Sequence, residues 1–346
     1  MYDGNSRTGV EIKQELSDGN RNKTGITEEK RMKTLYVSDL DGTLLGSNER
    51  TSDFTNRTIN ALVADGMLFS YATARSYITA HKVTQGLNAQ IPVIIYNGAF
   101  IRDQVSGKIL LSSYFEGAEA FAQELFEADV YPLVYAMLPS EKFQENFQEK
   151  IQTGFQERVQ EKFQERIQEN FQENFYEKFS EKFSYMPAHV NDGMRRFLDT
   201  RKEDVRERKV QSREELLEGR IFYFTCIDER EKLAPLYERY RENYHCVFSQ
   251  EIYTKAWFLE IMPLETSKAN AVLRLKEYLG CDRVVVFGDH YNDLDMFQIA
   301  DEAYAVENAV GELKAAAAGV IASNDDDGVA RFLLERLKKE KSRPAF

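Results

Sequence analysis

Cysteine is scarce in this chain, and long apolar runs are absent. The three cysteines among 346 residues are Cys226, Cys246 and Cys281, and no two form a C-x-x-C pair, so we expect neither a disulfide framework nor a structural zinc site. No stretch approaches the ~18 apolar residues of a membrane-spanning helix. The polar residues 1–20 lack the apolar segment of a signal peptide. We therefore expect a soluble cytoplasmic protein with no membrane partner.

Positive charge is also in deficit. The 45 Lys and Arg residues are outnumbered by 57 Asp and Glu residues, which gives a formal net charge of −12. A nucleic-acid-binding surface needs a basic patch, so no nucleic-acid partner is expected. Apolar residues are plentiful by contrast, at 42% with 18 Tyr and 23 Phe, which is enough for a sizeable core. The length corresponds to roughly two domains.

Two stretches of the chain alternate short apolar runs with amphipathic segments. We predict strands at 35–37, 68–72, 91–96, 284–287 and 303–306, and helices at 54–65 and 294–300. Strands of continuous apolar character that alternate with helices are typical of a parallel sheet covered on both faces. The pattern therefore predicts a doubly wound, Rossmann-like α/β domain.

The segment between these two stretches has the composition of an inserted α+β domain. Residues 220–227 and 256–262 favour strands, and residues 233–244 favour a helix. We therefore divide the chain into a disordered tail, a core domain in two pieces and an inserted domain. The predicted boundaries are 1–32 for the tail, 33–103 and 260–346 for the core, and 104–259 for the insertion.

A low-complexity repeat lies inside the insertion, over residues 141–184. An apolar residue occupies every fourth position from Phe143 to Phe183, and the intervening Gln, Glu and Lys residues favour a helix. Because a helical turn has ~3.6 residues, this apolar stripe would drift by about 40° per repeat. Two interpretations stay open. The tract is either a repeat expansion that forms a solvated helix, or a device for binding a protein partner or a second copy of the chain.

Acidic side chains follow two of the predicted strands. Asp39 and Asp41 come after the first strand, and Asp289 and Asp293 come after a strand near the end of the chain. The carboxyl ends of parallel strands form the crevice in which open α/β sheets bind ligands. Carboxylates gathered there repel one another unless a cation holds them, and the candidates are Lys268 and a divalent ion. Oxygen ligands with room for water and phosphate suit Mg²⁺.

Four motifs in this order resemble those of the haloacid-dehalogenase (HAD) superfamily of phosphohydrolases, specifically the Cof-type phosphatases with a type IIB cap. Residues 34–46 resemble the first motif, 72–75 the second, 267–268 the third and 288–293 the fourth. The resemblance covers the two core pieces well and the insertion only loosely. It implies a HAD core with an inserted α+β cap that closes over the active site.

The resemblance also implies a role for each matching residue. Asp39 would be the nucleophile that forms an aspartyl-phosphate, Asp41 the general acid and base, and Lys268 the cation that neutralises the phosphoryl group. The implied Mg²⁺ ligands are Asp39, Asp41 through its main-chain carbonyl, Asp289 and Asp293. The implied phosphate- or substrate-binding residues are Thr73, Arg75, Asn97 and Asn292. For Arg75, an ion pair with an acidic site residue and a substrate contact both stay open.

The function that we expect is Mg²⁺-dependent hydrolysis of a small soluble phosphomonoester, such as a sugar phosphate or a phosphorylated cofactor. Two alternatives stay open. One is a phosphoryl transferase of the same superfamily, similar to phosphomannomutase, in which a sugar hydroxyl takes the phosphoryl group instead of water. The other is an interaction module that acts through the repeat.

Overall fold

A computed structural model describes residues 32–87, 91–140, 179–250 and 256–341. Strands and helices are labelled in chain order within these ranges. The predicted tail, apart from Met32, and most of the predicted repeat lie outside them. The two interpretations of the repeat therefore both stay open.

The first sheet has eight strands in the order β14-β13-β12-β1-β2-β3-β4-β5. They are β1 (Thr34–Asp39), β2 (Leu68–Ala72), β3 (Pro92–Ile95), β4 (Phe100–Asp103), β5 (Ile109–Ser112), β12 (Arg283–Gly288), β13 (Glu302–Val306) and β14 (Gly319–Ile321). Neighbouring strands from β14 to β3 run parallel, whereas β4 is antiparallel to both β3 and β5. Because β1 and β12 are neighbours, two distant pieces of sequence build one sheet. The doubly wound α/β core is confirmed.

Helices connect and cover the strands of both pieces. Those described are α1 (Asp53–Ala64), α2 (Tyr77–Val83), α3 (Ala118–Glu127), α4 (Asp192–Asp199), α5 (Arg213–Leu216), α6 (Arg230–Tyr240), α7 (Lys268–Leu279), α8 (Leu294–Ile299), α9 (Gly311–Ala316) and α10 (Gly328–Lys341). The predicted helices at 54–65 and 294–300 correspond to α1 and α8. Among the helices in the described ranges, none has the length and apolar character needed to cross a membrane.

A second sheet of six strands is inserted between β5 and β12, in the order β10-β11-β9-β6-β7-β8. Its strands are β6 (Leu133–Pro139), β7 (Phe179–Tyr185), β8 (Glu207–Lys209), β9 (Arg220–Asp228), β10 (Tyr244–Gln250) and β11 (Trp257–Pro263). One face buries Val134, Phe224 and Leu259 in a cluster with residues of α3 and α6. The opposite face carries Tyr135 and Tyr223, which pack with residues of the first sheet. This second face is the one that lies towards the candidate site.

The sheets divide the chain at other positions than the predicted boundaries after 103 and 259. The first sheet continues through β5, and β11 extends the second sheet to Pro263. The predicted helix at 233–244 ends at Tyr240, and Tyr244 already begins β10. Strand pairing decides these boundaries, because the apolar run that predicts a strand does not show which of the two sheets the strand will join.

The last residues of the predicted repeat helix form a strand instead. Phe179–Tyr185 pairs with β6, and its Phe179 and Phe183 are buried. Residues four apart lie on one face of a strand, because side chains alternate with a period of two. The four-residue spacing is therefore as compatible with a strand as with a helix. The helix prediction is wrong over 179–184, and residues 141–178 lie outside the described ranges.

Candidate active site

Three strand ends bring the predicted acidic residues together. Asp39 is the last residue of β1, and it is the register partner of Ala72 at the end of β2. On the other side of β1, Ser38 is the partner of Phe287 in β12, so Asp289 follows a strand end next to Asp39. The parallel strands therefore end at the same edge of the first sheet, where a crevice for a ligand forms.

Lys268 is buried between two carboxylates of this crevice. Its Nζ lies 2.5 Å from Asp39 Oδ1 and 2.8 Å from Asp293 Oδ1, and the three side chains are at most 6% exposed. Ser267 fixes the start of α7, because its hydroxyl accepts a hydrogen bond from the N–H of Asn270. Removing one partner of such a buried ion pair leaves an uncompensated charge. The three groups are therefore electrostatically interdependent.

The loop after β12 and the turn after β1 orient the other carboxylates. Asp293 Oδ2 accepts hydrogen bonds from the N–H groups of Asp289 and His290, at 3.1 and 3.3 Å. The hydroxyl of Thr43 donates to Asp289 Oδ1 at 3.1 Å. Asp293 thus joins the loop backbone to Lys268, and Asp289 is oriented from the turn of β1.

Burial and crowding change the pKa values of these groups. Burial raises the pKa of Asp39 above its ordinary value, and this effect is opposed by Lys268 and reinforced by Asp293. Burial and the charge of Asp293 raise the pKa of Asp289 to about 6. Burial lowers the pKa of Lys268, but the charges of Asp293 and Asp39 outweigh it and raise that pKa above its ordinary value. Lys268 therefore stays charged, and the carboxylates around it are short of positive charge.

The same carboxylates have the geometry of a divalent-metal site. Ligand oxygens of Asp39, Asp289 and Asp293 lie within 4.8 Å of one another. Carboxylate oxygens are the donors that Mg²⁺ prefers. Three carboxylates face one ammonium group, so a divalent cation would balance the charge. The residues present therefore fit the metal that the sequence predicts.

The Asp41 side chain is not part of this cluster, because it pairs with Arg75. Arg75 Nε lies 3.1 and 2.9 Å from the two carboxylate oxygens, and Nη2 lies 2.5 Å from Oδ1. The Asp41 side chain is half exposed. Of the two interpretations of Arg75, the structure has the ion pair, and the guanidinium contacts Asp41.

The turns after β2 and β3 are tied together beside the crevice. Tyr96 and Asn97 both have a φ of 51°, in the left-handed region. Their N–H groups donate to the carbonyls of Arg75 and Thr73, at 3.0 and 2.9 Å. The N–H of Thr73 donates to the Ile94 carbonyl at 3.0 Å. The Thr73 hydroxyl accepts the N–H of Arg75 at 3.1 Å, and its own hydrogen is the group left to contact a ligand.

The two predicted asparagines lie in different surroundings. Asn97 is buried, and its Nδ2 donates to the hydroxyl of Tyr223 in the second sheet, at 3.2 Å. Asn292 is exposed in the loop after β12, next to Asp293. The structure thus gathers Asp39, Lys268, Asp289 and Asp293. Thr73, Arg75 and Asn97 have contacts with other residues, and Asn292 is exposed.

Sequence reasoning assigned no role to Thr43 and Tyr223, which both contact site residues. Thr43 had a signal, since it follows the two aspartates and Gly42 in the first motif. Tyr223 had none, because it lies in the inserted segment, far along the chain from Asn97. Contact across two sheets leaves no trace in a local pattern.

Gly42 allows the turn after β1 to approach Asp289, and we predict a double effect of Gly42→Ala. The residue has a φ of 78°, and a Cβ there would overlap the Asp289 carboxylate. We expect a loss of about 1–2 kcal/mol in the free energy of unfolding from left-handed strain. We also expect weaker Mg²⁺ binding, because Asp289 must move. Chemical denaturation and calorimetric Mg²⁺ titration measure the two effects.

Gly66→Ala is the matched control for this variant. Gly66 has a φ of 96°, and a Cβ there would meet no atom within 4 Å. It should therefore show the loss of stability with unchanged Mg²⁺ binding. Equal Mg²⁺ affinities in the two variants would contradict the close approach of the turn to Asp289.

Comparison with known proteins agrees with this fold and site. The family model of haloacid dehalogenase-like hydrolases matches residues 36–189 and 143–333. The 5-amino-6-(5-phospho-D-ribitylamino)uracil phosphatase YitU of Bacillus subtilis is 24% identical over 87% of this chain and 96% of its own length. YwtE of the same organism, also a 5-amino-6-(5-phospho-D-ribitylamino)uracil phosphatase, is 26% identical over 87% of this chain and 97% of its own length.

A solved structure shares the fold. It is that of a sugar phosphatase of HAD subclass IIB, with a TM-score of 0.58 at 18% identity over 88% of this chain and 99% of the other. The family model and the relatives identify a phosphatase, and its structure has a doubly wound α/β core and an inserted second sheet. The chain belongs to the haloacid dehalogenase-like hydrolase family, among its Cof-type phosphatases.

Proposed function

We propose that this phosphatase is a Mg²⁺-dependent phosphomonoester hydrolase that acts on a small soluble ester through an aspartyl-phosphate on Asp39. The observation that carries the proposal is the buried contact of Lys268 with Asp39 and Asp293 at the carboxyl edge of the sheet. Burying charges is costly, and titratable groups with perturbed pKa values cluster at functional sites. A catalytic role accounts for this cost.

The proposed reaction has two half-reactions. In the first, the Asp39 carboxylate attacks phosphorus, so that an O–P bond to Asp39 forms and the ester O–P bond breaks. Asp41 first exchanges its contacts with Arg75 for contacts with the leaving group and takes up a proton from water, and it then gives that proton to the departing alkoxide. In the second, Asp41 takes a proton from water while that water attacks phosphorus, and the O–P bond to Asp39 breaks. Inorganic phosphate and free Asp39 result.

Other residues hold the phosphoryl group in this scheme. Lys268 neutralises its charge, and the hydroxyl of Thr73 donates to a phosphoryl oxygen. Asn292, exposed at the edge of the crevice, is a further donor.

The metal site completes the proposal. Mg²⁺ would be held by the carboxylates of Asp39, Asp289 and Asp293 and by the main-chain carbonyl of Asp41. When bound, it supplies the positive charge that lets an anionic carboxylate approach a phosphate dianion.

The second sheet is proposed as a cap over the crevice. Its face with Tyr135 and Tyr223 packs against Tyr96, at ring-centroid distances of 5.8 and 5.7 Å. A cap in that position excludes water and contacts the leaving group. The activity of the relatives YitU and YwtE supports, as the substrate, a polar ester of the size of a phosphorylated ribityl compound.

Phosphate release from a panel of esters tests the proposal. The panel contains sugar phosphates, nucleotides, phosphorylated cofactors and 5-amino-6-(5-phospho-D-ribitylamino)uracil, each assayed with Mg²⁺ and with EDTA. We expect release that depends on Mg²⁺. Metal-independent release would contradict the metal's role, and recovery of the phosphoryl group on a sugar hydroxyl would replace hydrolysis by phosphoryl transfer.

The stabilisation of the protein by Mg²⁺ should depend on pH through Asp289. Its pKa of about 6 in the folded state lies above the ordinary 3.8. Between these values the unfolded state ionises first, so without metal the free energy of unfolding falls as the pH rises. Metal binding requires the ionised form. We expect the rise in Tm caused by Mg²⁺ to be large above this range and to decline as the pH falls below about 6.

Differential scanning fluorimetry over a pH series measures this effect. Asp289→Asn should show little rise in Tm at any pH, since the carboxamide is a weaker ligand. A rise in Tm that stays constant through pH 6 in the unaltered chain would count against Asp289 as a ligand.

A further inference from the structure

The face of the second sheet that lies towards the crevice has polar side chains among apolar ones. Tyr135 in β6 is the register partner of Tyr223 in β9, and Thr225 of β9 is the partner of Glu260 in β11. Partners in register lie on the same face, as do residues two apart in a strand. Two phenols, a hydroxyl and a carboxylate therefore share this face. The opposite face has apolar side chains at the neighbouring positions, such as Phe224.

The face that carries Glu260 contacts the turn that borders the crevice. Tyr223 lies on the same face as Glu260, and its hydroxyl receives the Nδ2–H of Asn97 at 3.2 Å. The N–H of Asn97 in turn donates to the carbonyl of Thr73 at 2.9 Å. Thr73 directly follows Ala72, the register partner of Asp39. Glu260 thus shares a sheet face with the tyrosine that contacts the turn beside the nucleophile.

Glu260 keeps access to solvent although its surroundings are mostly buried. The side chain is half-buried, whereas Tyr223 is 2% exposed and Met262, two residues on along the same strand face, is 0% exposed. Burial raises the pKa of Glu260, against the effects of Tyr223 and Arg201. Glu260 therefore keeps some exposed surface beside fully buried neighbours.

Arg201 supplies a cation to the same region. Its guanidinium stacks on the Phe197 ring at 3.6 Å and donates to the Thr200 hydroxyl at 3.0 Å. The Phe197 ring packs on Phe258 at 5.6 Å, and Phe258 lies two residues before Glu260 on the same strand face. Among the residues that the structure describes, no carboxylate oxygen lies within ion-pair distance of Arg201.

Arg206, on the same side of the sheet, differs from Arg201 in its partners. Arg206 has an ion pair to Glu181 and a second to Asp204, both at 2.6 Å. Its five donors are therefore largely used within the protein, and its role is structural. Arg201 has N–H donors that can bind a ligand. A hydrogen bond from a half-buried guanidinium to a ligand acceptor is stabilising, because the donor is charged.

We propose that Glu260 and Arg201 recognise the leaving group of the ester on the face of the second sheet that also carries Tyr223. The leaving group would donate a hydrogen bond from a hydroxyl or amino group to Glu260 and accept one from Arg201 at a hydroxyl or carbonyl oxygen. Polyols, sugars and amino-oxo rings have this chemistry. The proposal rests on the proposed function, and it adds the residues and the class of leaving group.

A comparison of two esters tests the proposal. D-Ribose 5-phosphate offers hydroxyl donors and acceptors, and p-nitrophenyl phosphate has an aryl leaving group without a hydroxyl. A site built to bind hydroxyl groups discriminates strongly against analogues that lack them. We expect the unaltered chain to prefer D-ribose 5-phosphate in kcat/KM. In Glu260→Gln that preference should fall by roughly tenfold or more, mainly through KM, while p-nitrophenyl phosphate turnover stays within about twofold.

Two further variants keep the test decisive. Arg201→Met retains an apolar stem over Phe197 and should reduce the same preference without the risk of an altered strand. Glu265→Gln makes the same chemical change at an exposed position five residues away in sequence, and it should leave both esters unaffected.

The outcomes separate the two proposals. An equal loss for both esters in Glu260→Gln and Arg201→Met would make their role structural, and unchanged preference in both would remove them from recognition. An unaltered chain that hydrolyses p-nitrophenyl phosphate without preferring D-ribose 5-phosphate would overturn the inference while the proposed function stands. A chain that hydrolyses neither, nor any ester of the panel, would overturn both.

Discussion

Asp39→Asn should abolish turnover while leaving the fold in place. We expect kcat to fall by roughly 10⁴-fold or more, because a carboxamide is a poor nucleophile and residues that act as a unit have losses of this size. KM should change little, since Lys268 and Thr73 remain to bind the phosphoryl group. Steady-state phosphate release with the best ester of the panel measures both constants.

Asp39→Asn should keep its fold for two reasons. Lys268 keeps its contact with Asp293 at 2.8 Å. The neutral carboxamide also removes a buried negative charge, and burial of that charge is what raises the pKa of Asp39. Asp53→Asn makes the same change at an exposed residue of α1 and should retain full activity. Residual turnover in Asp39→Asn within tenfold of the unaltered chain would rule out Asp39 as the nucleophile.

Lys268→Met should cost both activity and stability. Its ammonium group contacts Asp39 and Asp293 inside the protein, so its removal leaves two buried carboxylates without their cation. Breaking a buried pair in this way costs about 3–5 kcal/mol. We expect that loss in the free energy of unfolding without metal, and a fall in kcat of roughly 10²–10³-fold, as for loss of one electrostatic contact in a transition state.

Mg²⁺ provides a second test of this variant, because a divalent cation should restore part of the lost stability. Lys276→Met is the control, since this lysine lies in the same helix, is 28% exposed and is 3.9 Å from Asp301. Its stability should change by less than about 1 kcal/mol. Denaturation of the three proteins with and without Mg²⁺ makes the comparison. Equal losses in Lys268→Met and Lys276→Met would contradict the interdependence of the buried groups.

The strands and the acidic positions could be predicted because each has a local signal. The apolar run of β1 ends at Val37, two residues before Asp39, which is the last residue of the strand, and β12 is followed directly by Asp289. Parallel strands end at one edge, so two local patterns suffice to place distant carboxylates together. The prediction of a role for Lys268 also depends on the family resemblance, because nothing in the local sequence indicates that a lysine at the start of a helix is buried.

Contacts between side chains could not be predicted in the same way. The pairing of Arg75 with Asp41 depends on two turns that follow different strands, and the residue pattern allowed a substrate contact equally well. The sequence predicts no role for Glu260, because the strand that contains it is mostly apolar. Its polar neighbours belong to β6 and β9, which lie far from it in sequence. The helix prediction for the repeat is wrong at 179–184 because a four-residue spacing of apolar residues is compatible with both a helix and a strand, and these residues belong to the strand Phe179–Tyr185.

The central claim is that the phosphoryl group passes through Asp39 on its way to water. Rapid acid quench of a single turnover, followed by mass spectrometry of the peptides, tests this claim most directly. Asp41→Asn should be used beside the unaltered chain, because loss of the base in the second half-reaction lets the intermediate accumulate. We predict an added phosphoryl group on Asp39 that forms before phosphate appears. Turnover in both proteins with no phosphoryl group on Asp39 at any time would contradict the account.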